Sequence, residues 1–180
     1  KEGEPCQAKD YAQLLDYAGN NDLSVPEHYQ YVSSRLDIDS YIDFVIAHVY
    51  SANQDWRQDQ NIRQWRRRSP SKSPGAPASH DGRWRFMAYD FDASLRLAEV
   101  EEDTIARARE QRLFGALVAN PAFRLRFVER CLALLDGPLA SERATKVVEE
   151  VETVLEPLMA EHVRRWRRPR TMNRWTSQMN

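Results

Sequence analysis

The stretch that decides the fold runs from Ile38 to Asp92 and is read in three pieces. The first, Ile38-Asp39-Ser40-Tyr41-Ile42-Asp43-Phe44-Val45-Ile46-Ala47-His48-Val49, repeats apolar side chains at Ile38, Tyr41, Ile42, Val45, Ile46 and Val49. That three/four spacing predicts an amphipathic helix, with Asp37 as its N-cap. The second piece, Ser51-Ala52-Asn53-Gln54-Asp55, breaks the pattern, and a short β-like segment, Asn61-Ile62-Arg63-Gln64-Trp65-Arg66, follows. The third, Arg83-Trp84-Arg85-Phe86-Met87-Ala88-Tyr89, alternates about the strand period and leads into Asp90-Phe91-Asp92. Two short strands this close in sequence predict an antiparallel hairpin.

Working outward, the flanks are helical. Asp10 to Ala18 places Tyr11, Leu14, Leu15 and Ala18 on one face, and Gly19-Asn20-Asn21 ends it. Ser24-Val25-Pro26-Glu27 reads as a capping box opening a short helix with Tyr29 and Val32. The charged stretch Glu99–Glu110 shows neither a strand nor a buried-helix period. Leu113, Phe114, Leu117 and Val118 make one helix. Asn120-Pro121 starts another, bearing Phe123, Phe127, Cys131, Leu134 and Leu135. Ser141 starts a long helix with Val147, Val148, Val151, Val154, Leu155, Leu158 and Met159, which Pro157 should kink. The expected class is mainly α with a small antiparallel β-hairpin (α+β), as one domain over 1–180. Residues 67–82, rich in Ser and Pro, form a mobile insert at the hairpin tip.

The bulk numbers exclude several classes. With 180 residues, 42% hydrophobic and 29% charged, the chain suits a globular fold. Lys+Arg is 26 against Asp+Glu 27, so nothing global draws it to nucleic acid or an anionic membrane, and neither partner is expected. No apolar run is long enough to span a bilayer. Cys6 and Cys131 are too few for a disulfide framework and lack metal-ligand spacing. Cys131 reads as core, and a Cys6–Cys131 bridge is the minor alternative.

The element order carries chemistry. A hairpin returns the chain to where it left, so Asn61 at its entrance and Asp90 at its exit should be neighbours, with Asp55 just upstream. Carboxylate and amide oxygens suit a hard cation that takes the rest of its shell from water and nucleotide phosphates. A separate carboxylate can orient and deprotonate a hydroxyl. Protein kinases divide these jobs between a catalytic-loop Asp, a following Asn and an Asp beyond the hairpin. On that template Asp55 is the hydroxyl-orienting base, Asn61 and Asp90 are metal ligands, and Asp92 is a further ligand by strand alternation. The plainer alternatives are a turn residue at Asp55, a strand-start amide at Asn61, turn-forming carboxylates at Asp90 and Asp92, and a packed histidine at His48.

The run Tyr50-Ser51-Ala52-Asn53-Gln54-Asp55-Trp56, then Asn61-Ile62 and Trp65-Arg66, resembles the Asn-x-Asp-Trp loop of the CotH (spore coat protein H) kinase family. Arg83 to Asp92 resembles that family's strand ending in Asp-x-Asp, and Asn120-Pro121-Ala122-Phe123-Arg124, Arg165-Trp166 and Trp175 fit in order. The resemblance implies the C-terminal lobe of an atypical protein-kinase-like fold. It implies ATP and Mg²⁺ or Mn²⁺ as cofactors, a protein Ser/Thr hydroxyl as substrate, and a spore-coat, cell-surface or extracytoplasmic setting. Three features depart from the pattern. The Asp55-to-Asn61 spacing is one residue longer than usual, which leaves Asp59 as an alternative ligand. Ala93-Ser94-Leu95-Arg96 lacks the Gly common after the Asp-x-Asp. No Gly-rich phosphate loop or strand Lys with its partner Glu is legible, so the nucleotide-gripping lobe is expected outside this chain, and the chain alone is expected to bind nucleotide weakly or not at all. The competing expectation is a catalytically inactive, kinase-like binding module. A metal-dependent phosphodiester hydrolase would require a second His/Asp cluster, which the sequence does not display.

Overall fold

The computed structural model describes residues 5–56, 61–71, 73, 75–95 and 101–179, with side chains from residue 9 onward. The chain falls into two compact units, 1–130 and 131–180. Among the described residues it is mostly helical with one two-stranded antiparallel sheet, as the sequence pattern predicts.

In the first unit, helix α1 (Pro5–Asn20) buries Tyr11, Leu14, Leu15 and Ala18, the stripe read from the sequence. Helix α2 (Pro26–Ser33) buries Val32. The expected capping box does not form. Val25 is the N-cap and makes no side-chain cap, while the Ser24 amide donates to Asp22 Oδ1 at 2.9 Å. Asp22, two residues upstream, competes for that amide and turns the chain by itself.

Helix α3 (Ile38–Tyr50) is capped by Asp37, whose carboxylate accepts from the Ser40 amide at 3.3 Å. Its burial exceeds a single stripe: Phe44 and His48 are buried along with Ile38, Tyr41, Ile42, Val45 and Ile46. The hairpin strands β1 (Arg63–Trp65) and β2 (Arg85–Met87) pair Arg63 with Met87, Gln64 with Phe86 and Trp65 with Arg85. They are shorter than the alternation suggested. β2 is anchored to the entry of α3, since the Trp84 amide donates to Arg35 O at 2.7 Å and the Asp37 amide to Trp84 O at 2.9 Å.

That anchoring buries Arg85. Its guanidinium pairs with Asp37 Oδ2 at 2.7 Å and Asp81 Oδ1 at 2.9 Å, and donates to the carbonyls of Ser79 and Ala78. The Arg85 hydrogen bonds hold the Asp81 carboxyl well below the usual carboxylate range. These bonds tie the end of the 67–82 insert, where Ala78–His80 forms a 3-10 turn, back to the hairpin.

The charged stretch after Asp92 contains a helix, α4 (Thr104–Glu110), capped by Asp103 through the Ala106 amide at 2.9 Å. Ala108 is its buried residue, so the helix packs on one small side chain and leaves no apolar period to read. Helix α5 (Arg112–Leu117) buries Leu113, Phe114 and Leu117. Helix α6 (Pro121–Leu135) begins where Asn120 Oδ1 accepts from the amides of Ala122 and Phe123. Phe114, Phe123 and Phe127 cluster at centroid distances of 5.2–6.3 Å.

In the second unit, helix α7 (Ser141–Trp166) takes Ala140 as N-cap, runs through Pro157, and ends on Arg167 in the left-handed region. Helix α8 (Met172–Met179) follows. Met159 and Trp175 are buried, while Val147, Val148, Val151, Val154, Leu155 and Leu158, apolar positions read from the sequence, are exposed. Cys131 is a free, half-buried thiol; the side chain of Cys6 lies outside the described residues. No helix among the described residues is long and apolar enough to cross a membrane.

Candidate active site

The site begins at the C-terminus of α3. The Ala52 amide bonds Val49 O and the Asn53 amide bonds His48 O, with Ala52 left-handed at φ 48°. This is a Schellman ending, and Ala52 occupies the position where Gly is usual. It folds the chain back over the helix end and buries the Asn53 side chain.

Asn53 then uses both ends of its amide. Its Nδ2 reaches His48 Nδ1 at 3.1 Å and donates to the Asp90 carbonyl at 3.3 Å; its Oδ1 accepts from the Asp55 amide at 2.9 Å. Because Nδ2 is the donating end, His48 Nδ1 must accept, and the imidazole hydrogen sits on Nε2. His48 lies between Trp56 (4.7 Å, interplanar 2°) and Phe91 (4.5 Å, 15°), with Phe44 edge-on. Burial pushes its pKa down to about 4, so the ring is neutral at pH 7. The buried Nε2 has no hydrogen-bond partner among the described residues.

Backbone bonds lace the two loops together. The Leu95 amide donates to Ser51 O at 2.7 Å and the Gln54 amide to Ala93 O at 3.1 Å. From behind, Gln54 Nε2 donates to Glu102, whose other oxygen takes Arg107, and Gln111 Nε2 donates to Trp56 O at 2.9 Å. Glu102 and Arg107 belong to the stretch without a legible period and Gln111 directly follows it, which is why sequence reasoning missed them.

The predicted residues are placed as follows. Asn61 Nδ2 donates to Asp55 Oδ2 at 3.0 Å, so these two side chains meet despite the long spacing. Asp90 is held by its carbonyl through Asn53, is left-handed at φ 60°, and exposes its side chain. Asp92 is exposed in the turn that follows. Because β2 ends at Met87, strand alternation does not set the direction of Asp92, and that part of the expectation is corrected. Asp59 lies outside the described residues. Ala52, Asn61, Asp90 and Leu95 all have φ between 48° and 60°, so left-handed non-glycine residues cluster in the loops of this site.

The whole chain, residues 1–180, matches the family profile described as CotH kinase protein. This protein belongs to the CotH kinase family. No curated protein and no solved structure matched the chain. Membership makes the protein kinase-like.

The donor set suits the divalent cation that kinase-like chemistry calls for. Asn61 uses Nδ2 toward Asp55, which leaves its Oδ1 lone pairs for a cation. The exposed Asp90 and Asp92 offer further oxygens, the ligand type that Mg²⁺ and Mn²⁺ prefer. Among the described residues no three His, Cys, Asp or Glu side chains converge as a cage. A divalent cation held here would draw most of its shell from water and phosphate oxygens, as Mg²⁺ does.

Proposed function

We propose that this CotH-family chain carries the base and the metal ligands of a protein Ser/Thr kinase, and that the nucleotide is ATP. Asp55 orients a substrate hydroxyl and takes its proton as the hydroxyl oxygen bonds to the γ-phosphorus and the bond to the ADP oxygen breaks. Asn61 and Asp90 hold the divalent cation, with Asp92 as a further ligand. When bound, the cation offsets the negative charge of the phosphates. The Asn61–Asp55 hydrogen bond carries this reading, because it joins the proposed base to a proposed ligand at the entrance of the hairpin.

The test is transfer of labelled phosphate from ATP by the full-length protein. Asp55→Asn and Asp90→Ala are each expected to lower the rate at least about a hundredfold. Activity that survives Asp90→Ala overturns the metal assignment. A second reading, an inactive kinase-like binding module, is favoured by the exposed apolar side chains along α7. Calorimetric titration of the full-length protein with Mg-ATP separates the two: heat of binding supports the kinase, and no heat supports the module.

A further inference from the structure

We infer that Asn53 is the positioning residue of this site, holding the Asp55 loop and the Asp90 turn in one arrangement with His48 as its support. The inference rests on the kinase reading for what is positioned, but the tie itself is a matter of structure.

The geometry is specific. One buried amide serves both candidate groups. Its oxygen fixes the backbone at Asp55, and its nitrogen fixes the backbone at Asp90. Both hydrogens of Nδ2 are used, one on Asp90 O and one on His48 Nδ1. A buried amide with both donors and its oxygen engaged has one orientation available, so it transmits a fixed geometry rather than tolerating several. Asp90 needs such a restraint because a non-glycine residue at φ 60° is unfavourable by itself. His48 in turn cannot swing away. Trp56 and Phe91 cover its two faces, and both belong to the loops being joined. Trp56 follows Asp55 and Phe91 follows Asp90, so the stack and the amide restrain the same two backbones from two sides.

The partition of labour is therefore between an imidazole supplied by α3 and an amide supplied by the loop after it. The side chain of Gln54, which sits between Asn53 and Asp55, turns the other way to Glu102, while its backbone amide reaches Ala93 O and adds to the tie.

The test uses the full-length protein and two independent readouts. The first is amide hydrogen exchange. In Asn53→Ala, the amides of Gln54, Asp55 and Leu95 should exchange at least about tenfold faster, together, while the amides of Ile42 to Ile46 are unchanged. Asn53→Asp, which keeps volume and the acceptor, should leave Asp55 protected and speed Leu95, because a carboxylate cannot donate to Asp90 O; it also decides the matter should the alanine variant fail to fold. Unchanged exchange at Leu95 in Asn53→Asp overturns the tie. The second readout is kinetic. Asn53→Ala should lower kcat about 10–100-fold with the KM for ATP within about threefold. His48→Phe, which keeps an aromatic ring between Trp56 and Phe91, should lower kcat less. The double variant should be no worse than Asn53→Ala, because the two residues act as one unit. Effects that multiply overturn the pairing. A wild-type protein that transfers no phosphate removes the kinase reading alone, and the exchange data still decide the tie.

Discussion

Helices α3 and α7 carry the same kind of apolar stripe and meet opposite environments. On α3, Ile42 and Val45 are wholly shielded, because β2 and α4 pack against that helix. On α7, Val154 is 70% exposed and Leu158 63%. Both patterns satisfy the amphipathic spacing equally well. The difference teaches that periodicity reports a face available for burial, while a second element arriving from elsewhere in the chain decides whether it is buried. It also explains where the chemistry sits. The helix that is covered can end in a fixed loop, and Ser51 to Trp56 takes its geometry from that rigid end.

The sharpest way to break this comparison is truncation on each helix. Ile42→Ala on α3 should cost about 3–4 kcal/mol in denaturant unfolding of the first unit, from lost burial and a cavity. Val154→Ala on α7 anchors the other end of the scale and is taken up below. Equal effects at the two sites would mean that the α7 face is covered in solution.

Next in size is a pH effect that the first unit should show through His48. Its folded pKa of about 4 lies below the ordinary 6.5, so between those values the unfolded chain takes up a proton that the folded chain refuses. Stability should be full above about pH 6.5, fall as pH falls, and reach its full loss below about pH 4, a total of roughly 3 kcal/mol. His48→Phe should flatten this part of the profile in equilibrium unfolding followed against pH. An unchanged slope would show that another group is responsible.

A smaller effect should come from the strained loops, and it should have the opposite sign. Leu95 sits at φ 54° with its side chain 71% exposed. Leu95→Gly removes the left-handed penalty and loses little packing, so it should stabilise the first unit by about 0.5–1 kcal/mol in thermal unfolding. Destabilisation would show that the Leu95 side chain has a partner in solution. The smallest effect is Val154→Ala, expected to stay within about 0.5 kcal/mol by the same denaturation assay.

Several features of the site were legible in order along the chain. The helix that Asp37 caps, the break at Ser51, the hairpin and the two acidic positions each leave a local mark: a period, a cap, an alternation. Asp55 and Asn61 could be named from that order, and their contact at 3.0 Å agrees with it. The capping box at Ser24 and the reach of strand alternation to Asp92 were misread, because local signals compete and a single residue such as Asp22 or Asp90 redirects the chain. Helix α4 was invisible because one buried alanine makes no pattern. Leu95 meets the sequence at an instructive point. The glycine missing from Ala93-Ser94-Leu95 is missing at a turn whose backbone is left-handed, so the sequence shows the departure and the structure shows its conformational consequence.

The sequence by itself determined most of the elements, the family and the candidate residues, since these are written in spacing and residue type along a continuous stretch. Only the tertiary structure decided which stripes become core, that Arg85 is a buried clasp, and that Asn53 joins the Asp55 loop to the Asp90 turn. The physical reason is range. Caps and periods act within a few residues, whereas Asn53 reaches a carbonyl 37 positions away and Gln111 one 55 positions away. No local pattern records which distant backbone group a buried amide will meet.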